Sequence, residues 1–265
     1  MGTPFEEINF LTRSENRVCL LDALTEGRYT ERELVDREGV SKVTVRRTLD
    51  AFSDRGWVEE SDGEYTTTRV GEMLAEDYSR LRETTDVACR LGPVVNLLPV
   101  ERMEFDLRVL ADATVSDPEN HDALRTIDRW VTLVRDADRL SVFTYRTGRM
   151  IAEPIYEELR EGSLELEAVL PPSELERIRD DPAVGEVKRK LIEAGATYYV
   201  APEDQDRPYS LGTFDDVAAI SGWNEENNPQ VHVESRAEPV VEWVRSEYEA
   251  VKAEAEPLTA DDLRP

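Results

Sequence analysis

Residues 39–75 read GVSKVTVRRTLDAFSDRGWVEESDGEYTTTRVGEMLA, and this stretch decides the fold. Ser41 suits the N-cap of the helix that follows, because a serine hydroxyl accepts a hydrogen bond from a first-turn amide. Inside that helix Val45, Leu49 and Phe52 recur at spacings of four and three, so they share one face and turn it to a core. Lys42, Val43, Thr44, Arg46 and Arg47 are left outside. Gly56 ends the helix. Trp57-Val58 and Tyr65-Thr66-Thr67 then read as two short strands, with Asp62-Gly63 as the hairpin turn between them.

Upstream, two more helices fit the same plan. Ser14 and Glu15 open one, with Val18, Leu21 and Leu24 as its apolar stripe, Leu20 beside it, and Gly27 as its stop. Thr30 and Glu33 form a capping-box pair at the start of ERELVDREG, where Leu34 and Val35 face inward. Gly39-Val40 is the turn into the third helix. Two short helices, a turn containing Gly and a capped third helix make a helix-turn-helix, and the hairpin behind it adds a wing. From Thr68 the chain is helical again, with Val70, Leu74, Tyr78 and Leu81 recurring at three or four and no breaker before Gly92-Pro93. A helix of that length after a wing is expected to pair with its twin in a homodimer.

The run quoted at the outset resembles the winged-helix transcription regulators of bacteria and archaea. In that family a serine opens the recognition helix, Thr-Val follows, and a Leu and a Gly-aromatic-Val close the unit. The resemblance implies that Ser41, Lys42, Val43, Thr44, Arg46 and Arg47 face double-stranded DNA, with Arg46 and Arg47 on guanine or on phosphate. Three positive charges near the start of one helix stand out in a chain of net charge -26. The wing departs from the usual basic pattern, because it carries Glu59, Glu60, Asp62 and Glu64. Carboxylates beside phosphate repel at low salt, so the expected salt dependence is weaker than ordinary counterion release, or inverted.

Beyond an apolar connector, LGPVVNLLPVERM (91–103), too hydrophobic for a loose linker, strands and helices alternate. Residues 107–115, 139–147, 164–171, 196–202 and 229–236 read as strands, and 209–225 as two strands turning at Asp215-Asp216. Helices are expected within 117–137, where Leu124, Ile127, Val131 and Val134 form the stripe, and over 153–162, 173–180, 184–195 and 237–256. Alternation of this kind predicts an α/β sheet domain with helices on its faces, and α+β organisation overall with the winged helix-turn-helix in front. The expected limits are 1–91 for the head with its dimerisation helix, 92–256 for an effector and dimerisation domain, and 257–265 for a frayed tail.

The body also resembles a family: the C-terminal effector domains of archaeal regulators that control filament growth and methanogenesis in methanogens. The resemblance rests on LVRDADRLSVFTYR, SLELEAVLPPSELERI, AGATYYVAP, GTFDDVAAISGWNE and VVEWVRSEYEAVKAEA. Related sugar-sensing regulators carry a phospholipase-D-like domain, which implies a small-molecule effector pocket at the strand ends. On this sequence that points to Tyr145, Arg146, Arg149, Trp223 and Asn224, with Arg146 as an anion clamp.

Other classes are disfavoured. Phospholipase-D chemistry needs a histidine with a lysine two residues on, and neither His121 nor His232 has one. GxSxG, HExxH and P-loop patterns are missing, so no catalytic residue, metal or cofactor is expected. His232 reads as a strand residue, and Cys19, within VCLLDAL, as a small core residue. No apolar run is long enough for a membrane span, and MGTPFEEINFLTRSEN is unlike a signal peptide, so the expected place is the cytoplasm. Fifty-eight acidic side chains against 32 basic ones, only four of them lysine, match the proteins of salt-accumulating archaea. The competing reading of the whole is a winged-helix scaffold that binds protein and not DNA.

Overall fold

The computed structural model describes residues 2–115, 123–144, 149–202, 209–223 and 229–263. Its chain divides into two compact units, Met1–Thr85 and Asp86–Pro265. The division falls inside a long helix, a few residues before the expected end of the head.

The head begins with α1 (Pro4–Thr12), which the sequence analysis lacks. Thr3 and Glu6 cap each other reciprocally there, and Pro4 sits at the first helical position, where its missing N–H costs nothing. Then come α2 (Glu15–Glu26), β1 (Tyr29–Thr30), α3 (Glu31–Glu38), α4 (Lys42–Ser53), β2 (Val58–Ser61), β3 (Glu64–Thr67) and α5 (Arg69–Leu91). The Thr30–Glu33 capping box forms at α3, and Gly39 takes the left-handed conformation that ends it. Ser14 stands at the N-cap of α2 but makes no side-chain cap bond. The hairpin turns on Asp62 (φ 56°) and Gly63 (φ 82°), and β1 joins it to give the antiparallel order β1-β3-β2. Leu20, Leu24, Leu34, Val45, Leu49 and Phe52 meet in one core and are fully excluded from solvent. Cys19 is half-buried at its edge rather than inside it.

On α5 the apolar stripe turns inward only in part: Leu74 and Tyr78 pack, half-buried, on the core of the head. Gly71 and Ala75 are the buried residues of its first half, whereas Val70 and Leu81 are exposed. The small residues win because this part of α5 lies close against backbone: a Cβ on Gly71 would collide with the Trp57 carbonyl oxygen.

The body holds β4 (Thr114–Val115), α6 (Ala123–Asp136), β5 (Arg139–Phe143), α7 (Arg149–Glu161), β6 (Glu165–Leu170), α8 (Pro172–Asp180), α9 (Pro182–Glu193), β7 (Thr197–Val200), β8 (Tyr209–Phe214), β9 (Val217–Trp223), β10 (Pro229–Ser235), α10 (Glu238–Lys252) and β11 (Glu256–Leu258). Eight strands form one mixed sheet in the order β11-β7-β6-β5-β8-β9-β10-β4. The β5–β6 and β6–β7 pairs are parallel and the others antiparallel. Alternation along the strands feeds two cores. Phe143, Val169, Leu211 and Ile220 face α10 and the connector, through Trp243, Val244, Tyr248, Val94 and Leu98. Leu140, Val142, Leu166 and Ala168 face α6, α7 and α9, through Trp130, Val134, Ile155, Leu159 and Leu191. The connector lies directly on the sheet at Gly222, where a side chain would strike the Leu97 carbonyl. The domain is therefore an α/β sheet with helices on both faces.

Three elements differ from expectation. Residues 107–115 form a 3-10 turn, Leu107–Leu110, and only two strand residues, because the Asp106 carboxylate accepts from the Arg108 amide and starts a helical turn. Leu124 lies outside the described side chains of α6; among the others Trp130, Leu133 and Val134 are buried and Ile127 and Val131 half-buried: the inward face is turned toward the largest side chain, whose indole reaches Ser221. The expected tail is ordered in part: β11 pairs with β7, and Leu258 is buried in the second core.

Candidate nucleic-acid interface

The site is built on α4. Val45, Leu49 and Phe52 are each 0% exposed and fix the helix on its inner side. The Ser41 hydroxyl accepts from the Thr44 amide at 3.3 Å and lies 3.0 Å from the Thr44 hydroxyl. These two polar residues are therefore engaged at the cap, and Thr44 is half-buried. Lys42, Val43, Arg46 and Arg47 are exposed on the outer side, Val43 to 77%. The structure thus brings all six expected residues, Ser41 to Arg47 without Val45, onto two turns of one helix.

Arg46 and Arg47 leave α4 in different company. Arg46 Nε lies 4.0 Å from a Glu31 carboxylate oxygen, at the start of α3. Thr30, the residue before Glu31, is paired with Glu64 of the wing. The wing residues Glu59, Glu60, Asp62 and Glu64 are all exposed. Tyr65 on the wing is pushed up from its ordinary value, by burial first and then by the Glu60, Glu31 and Asp50 carboxylates. That side of α4 is acidic.

Of the expected effector residues, Tyr145, Arg146 and Asn224 lie outside the described residues, and Arg149 opens α7 with a side chain that is not described. Trp223 ends β9, half-buried, and its indole donates to the Ser210 hydroxyl at 3.2 Å.

A second polar feature lies at the opposite end of β9 and β10. A cavity of about 500 Å3 is lined by Thr114, Arg129, Leu133, Val217, Glu234 and Arg236, among others. Arg129 grips Glu234 with two nitrogens. Behind it a buried chain runs from Glu234 to His232 Nε2 (2.9 Å), from His232 Nδ1 to the Ser221 hydroxyl (2.9 Å), and to the Trp130 indole (3.3 Å). Burial raises Glu234, but hydrogen bonds from Arg129 and His232 outweigh it and hold the carboxyl at about 2. His232 is 2% exposed and Ser221 1%, so this chain is a satisfied buried network in the sheet.

Residues 5–90 match the family model described as HVO_A0261 N-terminal domain, and residues 123–254 match the model of the methanogenesis regulatory protein FilR1, middle domain. The chain belongs to the archaeal winged-helix transcription regulators. No similar protein was found among curated proteins. Among solved structures, the regulator is similar to TrmBL2, an archaeal chromatin protein, at 12% identity and a TM-score of 0.38, with 92% of each chain covered. It is similar to Nuc of Salmonella typhimurium, a phospholipase D family member, at 12% identity and a TM-score of 0.43, over 56% of this chain and 99% of that one. An IclR-family regulator from Brucella abortus matches at 14% identity and a TM-score of 0.24, over 94% and 96% of the two chains. At these scores the likeness is loose, and no function is read from it.

The sequence reading of the regulator missed its second basic surface. Arg17 lies over the Phe10 ring (3.9 Å to the centroid) and donates to the Phe10 carbonyl, and Arg55 lies over the same ring at 3.7 Å. The signal was present as Thr3-Pro4-x-Glu6, a helix start, and as Arg13 and Arg17 flanking Ser14.

Proposed function

We propose that the regulator reads a specific DNA sequence with α4, works as a homodimer, and is modulated by a small-molecule effector held on its body. One observation carries the DNA reading: α4 is anchored by three fully buried apolar residues and presents Lys42, Val43, Arg46 and Arg47 together on its free side. Such a helix suits the major groove, where arginine matches guanine or phosphate and an exposed valine matches a thymine methyl. Homodimerisation is supported by α5, which exposes Val70, Met73 and Leu81 by more than half each and leaves every residue from Arg80 to Asp86 exposed. One recognition helix reads few base pairs, and two half-sites supply the usual specificity.

The residues proposed to hold the effector are Tyr145, Arg146, Arg149, Trp223 and Asn224. The cavity of Arg129, Glu234 and Arg236 favours a second location, and alanine at Trp223 against alanine at Arg236 separates the two. Either way the ligand shifts the head only if it prefers one of two arrangements.

The experiment is selection of duplexes from a random pool by the full-length chain, with unrelated duplex in excess as competitor. A specific regulator enriches one motif with two related halves. The acidic wing favours the scaffold reading, which expects no enrichment at all.

A further inference from the structure

The charge of the head is divided by α4. Arg46 and Asp50 share the side that meets Glu31 and the wing, by their spacing of four. Arg47 shares the other side with Ala51 and Arg55, again by fours. Arg55 fixes the direction of that side. Its guanidinium bonds the Ala51 carbonyl at 2.9 Å and Glu7 at 2.6 Å, and it lies over Phe10 of α1. Phe10 is itself wedged edge-on against Phe52 (6.3 Å) and Trp57 (5.8 Å). The same ring carries Arg17, from the first turn of α2, and Arg13 caps the end of α1 through its backbone.

Glu7 pairs with Arg55, so that cation is spoken for. Among the described residues Arg13, Arg17 and Arg47 have no ion-pair partner. Cations gathered this way repel one another unless an anion joins them. Arg17 is lowered from its ordinary value, by burial first and then by the charges of Arg47, Arg55 and Arg13. In a chain of net charge -26, three uncompensated arginines next to a recognition helix are a conspicuous anion site.

We propose that Arg13, Arg17 and Arg47 form a track for the DNA backbone on the α1–α2 side of α4, and that this track, not the wing, holds the phosphates. The proposal rests on the DNA reading above. It resolves the difficulty of an acidic wing: the duplex is gripped on the flank away from Glu59, Glu60, Asp62 and Glu64. Phe10 serves as the platform that holds Arg17 through its ring and its carbonyl, so little side-chain freedom is lost on binding.

The test uses the full-length chain, the duplex most enriched by it from a random pool, and an unrelated duplex of equal length. Arg13→Ala with Arg17→Ala is expected to weaken both duplexes by a similar factor, roughly tenfold per arginine, and to leave their ratio unchanged. The slope of log affinity against log salt is expected to fall by about 1.8, two phosphates' worth. Should loss of Arg17 unsettle α1, Arg13→Glu carries the test alone, because Arg13 holds α1 only through its backbone; it is expected to weaken binding more than Arg13→Ala. Glu59→Gln with Glu64→Gln is expected to cost no affinity at any salt concentration. Unchanged affinity and slope in the arginine variants, or loss of binding on neutralising the wing, overturns the track while leaving the DNA reading intact. Failure of the unaltered chain to enrich any duplex removes both.

Discussion

Gly71 lies so close to Trp57 that any side chain on it would strike the Trp57 carbonyl oxygen. That carbonyl also accepts from the Thr68 amide at 2.9 Å and the Thr68 hydroxyl at 3.3 Å, so both donors of the residue before α5 meet at one acceptor. Gly71→Ala must push the helix away and break this contact. The expected cost is about 3 kcal/mol, as for other overpacked sites. Thermal unfolding of the variant checks it; an unchanged midpoint would show that α5 has room to move.

The exposed side of α5 makes a separate prediction about assembly. Val70, Met73 and Leu81 are 54%, 58% and 56% exposed, and their spacing of three and eight sets them on one side of α5. Met73→Glu with Leu81→Glu is expected to convert a dimer to a monomer in sedimentation and to weaken binding of the selected duplex by tenfold or more, roughly the loss of one cooperating half-site. A dimer that persists in the variant would place the interface elsewhere.

Lys188 predicts a pH effect. It is 1% exposed on α9, beside the Tyr198 ring (4.7 Å), and burial lowers it to about 8; Glu174 pulls upward and Arg177 downward. Glu174, also buried, is already held by Arg177 at 2.7 and 2.8 Å. A lysine whose folded value lies below its unfolded value of 10.5 binds fewer protons in the native state. Its contribution to stability therefore rises with pH between about 8 and 10.5, and its cost, on the order of 3 kcal/mol, is fully present below that window. Lys188→Met removes the cost at neutral pH. The stability difference between variant and wild type is expected to shrink as pH climbs from 8 to 10.5. A difference that is flat with pH would mean that Lys188 is charged at no penalty.

Much of the head was legible because its signals are local. The Thr30–Glu33 capping box, a glycine stop, the three-and-four spacing of Val45, Leu49 and Phe52, and the Asp62-Gly63 turn each act within a few residues. The depth of Gly71 and Ala75 on α5 has no signature in the apolar spacing, because it is set by a close backbone approach that favours small residues. Strand order in the body, with β8 beside β5 and β10 beyond β9, depends on pairings between distant residues and has no signature in spacing. The tail was misread because β11 acquires its place only from β7. Arg13 and Arg17 have no signature beside Arg47 for a similar reason: they are remote from it in sequence, and Phe10 carries Arg17 together with Arg55, the neighbour of Arg47 by spacing.

On our proposal α4 reads DNA with its outer side. This is tested most directly by Arg46→Ala with Arg47→Ala in the full-length chain, assayed by gel shift on the selected duplex. Both side chains are exposed, so the fold and its melting temperature should be unchanged while affinity falls by roughly a hundredfold or more. A variant that is folded and binds that duplex as tightly as the wild type would contradict the account.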